Sequence, residues 1–279
     1  MGTSKSIPTP KGGAWTGVKK DVTSFLRGGD VSADDILANT ISAGGIASPP
    51  AFPSRSGARG ASGEGGGGGG AAAGGGRSRG GTGGSARGGR ASVGRAASGL
   101  GSFGAAVSDR GLDGALARLG LDELRGRSAV EVVARIAAHL ADGVGGIQGE
   151  ALEAALREAI LEAAAMAGDP TYEDLDSSLQ EFLSRDGVEG LVESFLTHYV
   201  FDRVWSLLES HVDRRAETNG EAEALATAVQ TACRSHVEDL IGERQERGDF
   251  EALDWFGVDG EALGQGIVSD LEERIQAIE

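Results

Sequence analysis

The chain has 279 residues, 48 of them glycine, and a net charge of −16 from 26 Lys and Arg against 42 Asp and Glu. A single cysteine, Cys233, cannot close an internal disulfide, and no run of 18 apolar residues is present, which argues against a disulfide scaffold and a helical membrane span. The charge is divided along the chain: the first 100 residues carry 12 cations and 5 acids, and the remaining 179 carry 14 and 37.

Residues 1–13 have no hydrophobic period and contain Pro8 and Pro10, which predicts an extended tail. The same prolines interrupt the apolar run that a secretory signal would need after Lys5, and the expected location is cytoplasmic. Across 14–42, Trp15, Val18, Val22 and Phe25 recur at spacings of three and four, predicting a short amphipathic helix that stops at Gly28-Gly29. Ser32 with Asp35 three residues on is a capping box that predicts a second short helix carrying Ile36 and Leu37. Both should dock on the acidic body, because short helices are marginal alone. Residues 43–100 are mainly Gly, Ala, Ser and Arg, with an unbroken glycine run over 65–70, and predict a disordered basic linker.

Residues 105–279 read as an acidic, all-α, bundle-like domain. Leu112, Leu116 and Leu119 share a face, and Ser128 caps a helix with Val133, Ile136 and Leu140. The stretch over 151–166 stops before Pro170. A longer helical pattern then runs through Leu175, Leu179, Leu191, Phe195, Tyr199, Val204 and Leu208. Asn219-Gly220 marks a turn before Leu225, Val229, Val237 and Leu240, and a last helix carries Leu263, Ile267, Leu271 and Ile275. No alternating pattern lasts long enough to build a sheet.

No catalytic constellation stands out, and neither a cofactor nor enzymatic activity is expected. His198 and Asp202 are four apart, and Cys233 and His236 three apart. That spacing could place four ligands on two helices, but the flanking Phe195, Tyr199 and Val237 favour structural roles over a metal site. His139 and His211 read as helix-end or surface residues. Three Arg-Gly-Gly triplets begin at Arg27, Arg79 and Arg87; with Arg77 and Arg90 they could contact nucleic-acid phosphates, although the interleaved aromatics that stack on bases are missing. The opening Met1-Gly2-Thr3-Ser4-Lys5-Ser6 fits a lipidation pattern that requires a eukaryotic transferase. Its more general chemistry is the Gly2 α-amine left by removal of Met1, with a pKa of about 7.7–8.0 and no side chain to obstruct an acyl donor.

The start Gly2-Thr3-Ser4-Lys5-Ser6, followed by Pro8, Lys11-Gly12-Gly13 and Trp15, a Gly-rich linker and a helical body, resembles the QatB family. That family stands in four-gene Qat antiphage systems beside an ATPase, a QueC-like enzyme and a TatD-like nuclease. The resemblance implies that these are the partners and that the protein is a non-catalytic component. It also implies that Gly2 is the amine acceptor for a deazaguanine carboxylate adenylated by the QueC-like enzyme. Thr3, Ser4, Lys5 and Trp15 would then be recognition positions. The other reading is an adaptor that binds nucleic acid through its RGG linker.

Overall fold

The computed structural model describes residues 12–45, 83–144, 146–165, 170–250, 253–255 and 258–277. Over the described residues the fold is all-α, with eight helices, one 3-10 turn at Asp122–Leu124 and no strand. Helix α1 (Gly13–Leu26) buries Trp15, Val18 and Val22. It ends in a Schellman turn: Gly28 takes φ 72°, its N–H donates to the Phe25 carbonyl at 3.0 Å, and the Gly29 N–H donates to the Ser24 carbonyl at 2.9 Å. The triplet at Arg27 is therefore a helix stop. Helix α2 (Ala33–Gly44) opens with the expected capping box, in which the Asp35 N–H donates to Ser32 Oγ at 3.0 Å and the Ser32 N–H donates to Asp35 Oδ2 at 3.0 Å.

Helix α3 (Gly83–Leu119) begins well inside the segment expected to be linker. Val93, Ala96, Ala97, Leu100 and Phe103 form a buried face, so the body starts earlier than residue 105. The physical reason is close backbone approach to α8 (Val258–Gln276), the last helix. A Cβ on Gly94 would stand 2.8 Å from the Gln265 backbone nitrogen, and one on Gly264 would stand 2.7 Å from the Gly94 carbonyl oxygen. Glycine here thins an interface, which composition alone cannot distinguish from a flexible tether. Residues 46–82, the rest of the expected linker, lie outside the described residues.

Helices α4 (Ala129–Leu140), α5 (Gly146–Ala163), α6 (Tyr172–Arg215) and α7 (Asn219–Glu246) complete the bundle. Ser128 caps α4 as expected, accepting from the Glu131 N–H at 3.3 Å. Two breaks divide the long helices, at Gly111 in α3 and Gly187 in α6, both with φ 71°. The first is stitched by Asp176, whose Oδ1 accepts the Leu112 N–H at 2.7 Å. Helix α6 is the central element. It packs on α1, α3, α5 and α7, with Leu191, Phe195, Leu196 and Tyr199 in the core. No helix among the described residues is long and apolar enough to cross a membrane.

Candidate functional site

Gly2, Thr3, Ser4 and Lys5 lie outside the described residues, as do Arg77 and Arg79. The start of α1 is exposed, with Gly12, Gly13 and Ala14 all facing solvent. Trp15 is only 7% exposed and packs beneath α2, where a Cβ on Gly44 would meet its ring at 3.2 Å. Arg87 falls in α3, with its side chain outside the described residues. Arg90 joins α3 to α8: its Nε donates to Glu272 Oε2 at 2.8 Å, its Nη2 reaches the same oxygen, and Glu272 is buried.

The metal-ligand spacing on α6 and α7 resolves into separate pairs. His198 meets Glu162 of α5 at 2.8 Å, and His236 meets Asp34 of α2 at 3.0 Å. Cys233 is fully buried, which pushes its thiol up to about 12. Among the described residues, no group of three or more His, Cys, Asp or Glu side chains is placed to hold a metal ion. Glu162 also accepts from Ser194 Oγ at 2.7 Å and from Arg234 at 2.9 Å. Burial pushes its carboxyl up, but these bonds outweigh burial and hold it below the usual value.

The most distinctive polar feature lies where the C-terminal end of α1 meets that of α6. Lys19, Lys20 and Arg27 from the first and His211 and Arg215 from the second line an open basin of about 580 Å³. Its described lining contains no carboxylate, although acids outnumber cations in the chain. His211, expected at a helix end or the surface, lies near the end of α6 and is only 8% exposed. Its Nε2 lies 3.1 Å from the Lys19 carbonyl oxygen and 3.2 Å from Thr23 Oγ1, and the Thr23 hydroxyl donates to the same carbonyl at 2.7 Å. A carbonyl only accepts, so Nε2 carries the hydrogen and Nδ1 holds the lone pair. Burial lowers the pKa of His211, the bond to Lys19 opposes that, and Arg215, Arg214 and Lys19 push it lower still. A neighbouring basin shares Arg27 and Arg215 and adds Arg214, and Glu217 and Glu221 also line it. Sequence reasoning missed this corner because its two halves are 188 residues apart at the Thr23–His211 contact. The Lys19-Lys20 and Arg214-Arg215 doublets were the only local signals.

No curated protein and no solved structure matched the chain. One family model did, over residues 80–253, more than half the length and spanning all of α3 through α7. Helices α1 and α2, and with them the α1 side of the basic basin, precede the matched span. The match includes the glycine-poor helices and the stretch of α3 that composition alone assigns to linker, and with it the chain belongs to the QatB family, described as Qat anti-phage system associated proteins.

Proposed function

We propose that this protein serves the Qat antiphage system as a non-catalytic acceptor, whose N-terminal glycine is modified by a QueC-like partner. The observation that carries the Qat assignment is the family match over residues 80–253. The acceptor role rests on the sequence Met1-Gly2-Thr3-Ser4-Lys5-Ser6, with the exposure of Gly12, Gly13 and Ala14 at the start of α1 in support. The chemistry is amide formation. The Gly2 amine attacks a deazaguanine carboxyl that the partner has activated as an acyl adenylate; the N–C bond forms, the bond to AMP breaks, and the amine loses a proton. An α-amine of pKa about 7.7–8.0 is partly unprotonated at neutral pH and so can act as the nucleophile. Thr3, Ser4 and Lys5 are the residues next to the reacting amine and would be read by the modifying enzyme. Trp15 sits in the core and would act by anchoring α1. An ATPase and a TatD-like nuclease would complete the assembly in the cytoplasm.

Intact-mass measurement of the chain co-expressed with its QueC-like neighbour tests the reading. The expected result is an added mass that fragmentation maps to Gly2 and that is absent from Gly2→Pro. An unmodified chain beside an active partner overturns it. The adaptor reading is weakened by two of the RGG triplets, since Arg27 belongs to a helix stop and Arg87 to α3. Arg90 is engaged by Glu272.

A further inference from the structure

We infer that the basin between α1 and α6 is a binding site for a small ligand bearing two or more phosphates, such as a polyphosphate or a nucleoside triphosphate. This stands apart from the Gly2 reading and uses none of its residues. Four cations from two helices, Lys19, Lys20, Arg27 and Arg215, converge on a concave volume of about 580 Å³ with no carboxylate among its described lining. That volume is within the ordinary range for small-molecule sites, about 300–1,000 Å³. No Phe, Tyr or Trp side chain lines the basin for a base to stack on.

Cations at helix C-termini commonly offset the helix dipole. Two such ends supply only about one negative charge between them, against Lys20, Arg27 and Arg215 here. The surplus positive field is registered at His211, whose ionisation is suppressed by burial together with Arg215, Arg214 and Lys19. The geometry adds a neutral donor in the Ser24 hydroxyl, which lines the basin, and Gly28 adds no obstruction, with nothing within 4 Å of where a Cβ would stand. A bound phosphate would reverse the field at His211 and stabilise its protonated form. The charged groups around that ring are Lys19 of α1 and Arg214 and Arg215 of α6, and Glu217 and Glu221 line the neighbouring basin.

The test is titration of the full chain by calorimetry with sodium tripolyphosphate, with ATP, and with short and long oligothymidylates, at low salt. Tripolyphosphate is expected to bind at one site. The variant Lys20→Gln, Arg27→Gln, Arg215→Gln should weaken it about tenfold or more, while exposed Arg135→Gln on α4 leaves it unchanged. ATP binding more tightly than tripolyphosphate identifies a nucleotide site, and equal binding identifies a polyphosphate site; either supports the inference. In the unmutated protein, saturation with tripolyphosphate should move the His211 ring titration, followed by NMR, to higher pH. Failure of both small ligands to bind, binding indifferent to the triple substitution, or binding confined to long oligonucleotides would each overturn the inference.

Discussion

Around Glu162 on α5, opposite charges and donors close on one another: Ser194 and His198 from α6 and Arg234 from α7 meet one carboxylate. Around His211, near the far end of α6, the charges converge with the same sign and face an open basin. Both clusters depend on α6, and both join helices distant in sequence. The first is satisfied within the fold, so removing a member costs stability. The second has no carboxylate in its own described lining, so removing Arg27 or Arg215 relieves like-charge repulsion. Like charges held together with no carboxylate in their lining call for another explanation, and the proposed ligand supplies it.

Three measurements can break or sharpen this contrast. The largest effect is expected from Glu162→Ala, which strands three donors that converge on one acceptor. Because Glu162 is partly exposed, the loss should be about 1–2 kcal/mol, read as a lowered denaturant midpoint. Next, Arg27→Gln with Arg215→Gln should leave stability unchanged or raise it by about 0.3–0.5 kcal/mol in ligand-free protein, the size of a relieved surface like-charge contact. A loss as large as that at Glu162 would mean the basin is as self-satisfied as the first cluster and would erase the distinction.

The smallest effect is in pH dependence, where the two clusters act in separate windows. The folded pKa of His211 lies below its ordinary 6.5, so between the two values the unfolded chain binds more protons. Stability should therefore decline as pH falls below 6.5 and level off beneath the folded value, and His211→Gln should remove that step. Glu162 is held below its ordinary 4.5, so its contribution is present above 4.5 and is lost only as pH falls through its folded value. Glu162→Gln should flatten the acid limb and leave the step near 6.5 in place. A His211→Gln profile indistinguishable from the parent would remove His211 as a reporter of the cationic field.

Legibility followed the range of the interactions. The Ser32 capping box, the Gly28-Gly29 stop and the Ser128 cap are set by neighbours a few residues apart, and each occurs where the local pattern predicts it. The apolar faces of α6 and α7 were also readable, because large side chains at helical spacing have one way to be buried. The early turns of α3 were not. Their face is built from Val93, Ala96, Ala97 and glycines, and the partner that makes glycine useful, Gly264 on α8, is 170 residues away.

What the sequence by itself determined is the helical class and the local starts and stops. Those features depend on periodicity, capping chemistry and composition, all of which are local. Only the tertiary structure decided that a glycine-rich stretch is a packed helix, that His198 and His236 serve separate carboxylates, and that Lys19 and Arg215 face one basin. Each of these depends on which backbones come within contact distance. That is set by how α1, α3, α6 and α8 pack, and no short window of sequence contains both partners.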